Sequence, residues 1–191
     1  MKILVACEFS GIVRDAFIAR GHDAMSCDLL PTERPGPHYR GDVMDIIEDG
    51  WDMMIAHPPC TRLCNSGVRW LAERNLWQEM ADAAVFFRKL LESKIKRKAI
   101  ENPIMHFYAM EIIGYRYSQI IQPWMFGHPE SKATCLWLEN LPPLISTEIC
   151  VVREQRLFKL PPSADRAKER SRTFQGIANA FADQWGNLCS T

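Results

Sequence analysis

The sequence predicts an α/β sandwich around a mostly parallel sheet. Short apolar runs rich in β-formers alternate with stretches at helical spacing, and nearly every apolar run ends in a polar or turn cluster. With 191 residues, 47% hydrophobic and 24% charged, residues 1–191 read as one globular domain with a sizeable core, not as a disordered or fibrous chain.

Lys2–Cys7 is the first strand. Val13, Ala16 and Phe17 then fall at i, i+3, i+4 of a helix, with Ser10 as its expected N-cap and Gly21 as its stop. Asp23–Cys27 is a second strand, closing at Asp28. Pro31, Pro35, Gly36, Pro37 and Gly41 mark residues 31–41 as loop. A further strand, Asp52–Ala56, stops at His57-Pro58-Pro59. The longest helix is expected over Leu71–Ser93, where Leu76, Trp77, Met80, Ala84, Phe87, Leu90 and Leu91 keep one stripe. Lys98–Ile100 is a short strand ending at Glu101-Asn102-Pro103, and Ile104–Ile113 a helix. Gln119–Gln122 and Ala133–Leu138 read as strands, and residues 140–172 as an irregular, Pro-containing segment. Phe174, Ile177, Ala178, Phe181 and Trp185 stripe a closing helix over Phe174–Leu188.

The 23 Lys and Arg balance the 23 Asp and Glu. A protein that holds duplex DNA by charge alone is usually basic, so any contact with nucleic acid here is expected through a local patch. Two patches qualify. Residues 88–98 carry Arg88, Lys89, Lys94, Lys96, Arg97 and Lys98 against Glu92. Residues 153–172 carry Arg153, Arg156, Lys159, Arg166, Lys168, Arg170 and Arg172 against Glu154, Asp165 and Glu169. Taken alone, each is a solvated face or loop. Seven scattered cysteines and no signal-peptide pattern lead to the expectation of free thiols in a reducing cytoplasm. No apolar run approaches the roughly 18 residues of a membrane span.

In open α/β sheets, ligands bind beyond the carboxyl ends of the strands. Those ends read Cys7-Glu8-Phe9-Ser10-Gly11, Asp28, Gly41-Asp42-Val43, His57-Pro58-Pro59-Cys60 and Glu101-Asn102-Pro103. The first turn leads into a helix and lacks the glycine spacing of a dinucleotide site. Pro58-Pro59 stiffens the next loop, so Cys60 is presented on a rigid turn, as a nucleophile requires; the bland alternative is a buried, inert thiol. His57-x-x-Cys60-x-x-x-Cys64 has loosely metal-like spacing, but no second Cys/His pair accompanies it, so no metal is expected. Glu101 sits at another strand end and can face the same cleft as Cys60.

Taken together these residues resemble the DNA (cytosine-5) methyltransferases, in a small form common among phage-encoded proteins. Ala6-Cys7-Glu8-Phe9-Ser10-Gly11 is similar to the first motif, which cradles S-adenosylmethionine (SAM). Pro58-Pro59-Cys60 resembles the motif of the nucleophile, Glu101-Asn102 the Glu-Asn motif, and Gln175-Gly176-Ile177-Ala178-Asn179-Ala180 the last motif. The resemblance implies a Rossmann-like SAM-dependent methyltransferase sandwich. It also implies SAM contacts at Glu8, Phe9, Ser10, Gly11, Asp28 (ribose), Asp42 (adenine), Pro58 and Asn179. Cys60 and Glu101 are implied as the catalytic pair acting on a flipped cytosine, with Arg62, Asn102, Lys132, Arg170 and Arg172 as substrate contacts. The chain departs from the family in its single glycine at the first motif and in lacking an evident Gln-x-Arg-x-Arg strand, near whose place Lys132 stands. Only the basic segment 140–172 stands where relatives carry a target-recognition domain. A homodimer or a separate recognition partner is one expectation that follows. Two other expectations stay open: an enzyme acting on a nucleotide, single-stranded DNA or another base, or using a modified donor; and a non-catalytic SAM- or DNA-binding protein.

Overall fold

The structure, a computed structural model, describes residues 1–188. Its apolar runs form β1 (Lys2–Ala6), β2 (Asp23–Asp28), β4 (Met53–Ala56), β5 (Arg97–Pro103), β6 (Gln119–Ile121) and β7 (Thr134–Glu139). A short strand, β3 (His38–Arg40), completes a seven-stranded sheet of order β3-β2-β1-β4-β5-β7-β6. β1 to β5 run parallel, and β7 is antiparallel to both its neighbours.

Strand alternation sends Ile3, Val5 and Ile55 to one face and Leu4, Ala6 and Met54 to the other. The first face is covered by α1 (Ile12–Ile18) and α7 (Gln175–Trp185), through Val13, Phe17, Ile177, Phe181 and Trp185. The second is covered by α3 (Trp77–Leu91) and α4 (Phe107–Ile113), through Met80, Ala84, Phe87, Ala109 and Ile113. Each large side chain fully buried this way contributes about 1.5–3 kcal/mol. The result is a Rossmann-like α/β sandwich around a mostly parallel sheet, the architecture that the resemblance implies. Connections leave β1 and β4 in opposite directions along the sheet, which opens a crevice at their carboxyl ends.

Several local readings are corrected. The expected loop 31–41 ends in β3, an edge strand pairing Ser26 with His38; three residues after a proline cluster are too few to show alternation. The long helix splits into α2 (Arg69–Glu73) and α3, because Asn75 takes a left-handed backbone with φ 51°. α4 starts only at Phe107, with the His106 side chain accepting from Ala109 N–H at 3.1 Å. Ser10 is not the N-cap of α1. Gly11 occupies that position at φ 72°; Ser10 Oγ accepts Ile12 N–H at 3.3 Å, and Glu8 accepts the N–H groups of Val13 and Arg14. The irregular segment contains two short helices, α5 (Arg156–Lys159) and α6 (Arg166–Ser171). No helix among the described residues is long and apolar enough to cross a membrane.

Candidate active site

At the end of β1, Cys7 turns the chain through φ 57°, and Glu8 drops beneath the turn at 4% exposure. Its carboxylate accepts from Ser10 Oγ at 3.0 Å, Val13 N–H at 2.7 Å and Arg14 N–H at 3.3 Å. Glu8 therefore anchors α1 and shapes the turn from below instead of facing a ligand. Phe9 and Ser10 are buried with it. A Cβ on Gly11 would lie 2.6 Å from the Arg14 guanidinium. Arg14 is fully buried and donates to Ser26 Oγ and to the carbonyls of Arg34 and Pro35. It thus pins the loop after β2 against the turn, a role with no signal in the sequence.

Asp28 ends β2 half-buried. One carboxylate oxygen accepts Leu30 N–H at 2.9 Å, and the other has no protein partner among the described residues. Asp42 is exposed nearby and accepts Met44 N–H. The two carboxylates lie close enough to the Cys7 thiol to reinforce the rise in its pKa that burial causes first. Asn179, on α7, is held by Gln175 Nε2 at 3.1 Å.

The ends of β4 and β5 are joined directly. His57 Nδ1 lies 2.9 Å from Glu101 Oε2, across 44 residues of sequence. Asn102 Nδ2 donates to Pro58 O at 2.9 Å. Beyond these, His106 N–H donates to Leu63 O, Asn65 N–H to Ile104 O, and the His106 ring bonds Arg62 O at 2.9 Å. The loop bearing Cys60 is thus stitched to the segment after Glu101. Asn102, at 1% exposure, is a staple of this loop and not a group presented to substrate.

His57, Glu101, Lys132, Thr134, Thr173, Phe174, Ile177 and Phe181 line a narrow cavity of about 10 Å³, room for one water. His57 Nε2 and Asn102 Oδ1 are buried there or nearby with no hydrogen-bond partner. Burial alone would raise the Glu101 carboxyl, but the His57 hydrogen bond and the Lys132 charge outweigh it and the net shift is downward.

Cys60 is half-buried, and its thiol is pushed up: it donates to the sulfur of Cys64, it is desolvated, and Glu101 is near. Cys64 is correspondingly pushed down, by the hydrogen bond from Cys60 and by those from Ser66 Oγ (3.1 Å) and the Ser66 and Gly67 N–H groups. The more acidic thiol of this pair is therefore Cys64. Lys132 contributes a lowering effect at Cys60, whereas Arg62 is turned away and paired with Glu79 at 2.9 Å. Among the described residues no three His, Cys, Asp or Glu side chains are placed to hold a metal ion.

The two basic runs part company. In 88–98, Arg88 pairs with Glu92, Lys94 with Glu48, and Lys98, only 2% exposed, with Glu139. Lys98 lies toward the amino end of β5, away from Glu101. The run 153–172 instead folds over the crevice. Lys132 Nζ donates to Arg170 O at 2.9 Å. Arg172 and Lys168 both hold Glu33 at 2.8 Å, and Lys168 lies 5.2 Å over the Phe9 ring. Arg172 is thus a clasp between α6 and the loop after β2, and Arg170 contributes its backbone to the site. His57, Thr173 and Phe174 escaped the sequence reading as pocket residues. For His57 the signal was present, since it immediately precedes the Pro-Pro-Cys turn.

A scan against protein-family models gives no match, and no curated protein matches the chain. Among solved structures the chain is similar to a methyltransferase of Entamoeba histolytica. The TM-score is 0.46 and the identity 17%, with 80% of this chain and 56% of that chain covered; the chain therefore spans about half the length of that protein.

Proposed function

We propose that this protein is a SAM-dependent methyltransferase that acts on C5 of cytosine in DNA through a transient covalent adduct at Cys60. The observation that carries this reading is the 2.9 Å contact between His57 and Glu101, which draws the Pro-Pro-Cys turn and the Glu-Asn strand end into one crevice. A carboxylate in the cavity wall and a thiol close enough to feel its charge suit a planar ring that must be attacked at one atom and held at its opposite edge.

The residues present fit the donor. Asp28 keeps a carboxylate oxygen free at the end of β2, beside Leu29 and Leu30, which are 71% and 49% exposed. That combination suits a ribose diol next to an apolar ring. Phe9, Gly11, Pro58, Asp42 and Asn179 would complete the pocket, while Glu8 and Ser10 support it from beneath. SAM supplies an electrophilic methyl group when bound.

Cytosine C5 is a weak nucleophile, and sulfur addition at C6 makes it an enamine carbon. Cys60 must lose its proton to attack. Its hydrogen bond already points at the Cys64 sulfur, so the proton passes to Cys64 as the Cys60 sulfur bonds to carbon. A pyrimidine does not fit a space the size of one water, so Thr173, Phe174 and α6 move aside as the base enters. In a duplex the base must also leave the stack.

Labelled SAM with DNA is expected to place label on cytosine C5, and Cys60→Ser to abolish it. Full labelling by that variant would overturn the nucleophile assignment. A second reading, single-stranded DNA or a nucleotide as substrate, is favoured by the internal pairing of the basic segment: Arg156 with Glu130 and Glu154, and Arg172 and Lys168 with Glu33. Three of the seven cations of this segment are thereby engaged by carboxylates, which weakens its pull on a duplex backbone. Rates on duplex, single-stranded and mononucleotide cytosine separate the two.

A further inference from the structure

His57 is fixed as firmly as any residue of the crevice. Its N–H donates to Ala6 O at 2.9 Å, and two prolines follow it. Because Glu101 Oε2 can only accept in its ionised form, the hydrogen of their 2.9 Å contact belongs to His57 Nδ1. The other nitrogen, Nε2, is buried without a partner, on a side chain 8% exposed that lines the same cavity as Glu101. Buried polar atoms are rarely left unpaired, and those that are tend to sit at functional sites.

We propose that His57 and Glu101 read the pyrimidine edge as a pair: Glu101 accepts a hydrogen from the exocyclic 4-amino group, and His57 Nε2–H donates to ring N3. The proposal rests on the cytosine reading above and deepens it. It makes His57 a catalytic residue and the proton source at N3. As the Cys60 sulfur bonds to C6, the C5–C6 π pair moves to C4–C5 and the C4–N3 π pair becomes a lone pair on N3, which takes the Nε2 proton. Histidine is left neutral, its Nδ1–H still on Glu101, and it recovers the proton when the C4–N3 double bond re-forms. The carboxylate thus stays ionised throughout, in keeping with its pairing to His57 and Lys132. The same edge rejects uracil and thymine, which present an acceptor oxygen to Glu101 and an N–H to His57.

Of the titratable groups among the described residues, Glu101 on β5 and Lys132 before β7 line the cavity with His57, while Cys60 in its own loop and Cys135 on β7 lie near Glu101. Addition needs a deprotonated thiol pair and a protonated imidazole, so its rate must rise and then fall with pH.

The test uses single-stranded and duplex DNA carrying 5-fluorocytosine. Fluorine cannot leave as a cation, so the sulfur–C6 adduct accumulates and is weighed by mass spectrometry in the presence of SAM. Wild-type protein is expected to form the adduct with a bell-shaped pH profile. His57→Gln keeps an N–H donor but no acidic proton. It is expected to form adduct about 100-fold more slowly or worse and to lose the falling alkaline limb, while its SAM titration and thermal midpoint match wild type. Adduct formation by His57→Gln within twofold of wild type, with the same profile, overturns the proposal. So does a wild-type profile that only rises with pH, whatever the state of the variant. The underlying reading fails separately, and takes this one with it, if wild-type protein yields neither adduct on 5-fluorocytosine nor methyl transfer to cytosine.

Discussion

Asn102 reaches from the end of β5 to the carbonyl of Pro58 and donates to it at 2.9 Å. Together with the His57–Glu101 contact, this bond holds the Pro-Pro-Cys turn against the end of β5. Replacing Asn102 by Ala orphans a buried carbonyl, at a cost of about 1–3 kcal/mol, and frees the turn. The expected outcome is a fall of tenfold or more in kcat with SAM affinity unchanged, because misplacement near 1 Å is enough for such losses. Steady-state kinetics beside a calorimetric SAM titration check it.

The Cys60–Cys64 pair makes a prediction about reactivity. The hydrogen bond from Cys60 holds the Cys64 thiol down, whereas Cys60 itself is held up. Iodoacetamide near neutral pH is therefore expected to label Cys64 before Cys60, as read by peptide mass spectrometry. Cys64→Ser removes the proton acceptor, so methyl transfer should slow by about 100-fold, and, with the Cys64 interaction that holds it up gone, alkylation of Cys60 should shift to lower pH. Equal labelling of both sulfurs contradicts this ordering.

Glu33 clasps α6 over the turn that follows β1. Hydrogen bonding from Arg172, reinforced by Lys168, holds its carboxyl down to about 2, against an ordinary value of 4.5. A depressed carboxyl contributes stability in full above its unfolded value and loses it as the pH falls through the folded one. Glu33→Gln should thus be less stable than wild type at neutral pH, by about 1 kcal/mol at most for a solvent-facing network. The gap should close as the pH drops from 4.5 toward about 2. Hydrogen exchange over residues 166–172 should be faster in the variant at neutral pH, and an unchanged exchange pattern would refute the clasp.

Gly176 opens α7 where that helix passes the 126–128 turn. A Cβ there would stand 1.8 Å from Phe126 O, and Gly176 N–H takes the His128 ring at 2.9 Å. Gly176→Ala is expected to destabilise by about 2 kcal/mol or more, lowering the thermal midpoint by roughly 4–8 °C. A midpoint within a degree of wild type would show that the helix simply shifts.

Element order was legible because parallel strands are buried on both faces and so read as continuous apolar runs, as in Lys2–Ala6 and Met53–Ala56. The strand-end clusters were legible for the same reason, since polar and turn residues mark where burial stops. β3 was hidden: three residues at an edge carry no periodicity. The break at Asn75 was hidden too, because the apolar stripe continues across it. Glu8 and Ser10 stand out in the sequence as part of the turn after β1, but their inward orientation depends on the backbone of Cys7, which no composition rule reveals.

From the sequence alone came the α/β class, the ordered set of strand ends, and the expectation that Cys60 and Glu101 face one crevice. Tertiary structure alone decided which neighbours each charge would find: His57 at Glu101, Cys64 at Cys60, Glu79 at Arg62, and Glu33 at Arg172 and Lys168. The physical reason is range. Burial patterns are written locally, residue by residue, along each element. Hydrogen bonds and ion pairs act over about 3–4 Å between groups that only the folded chain brings together.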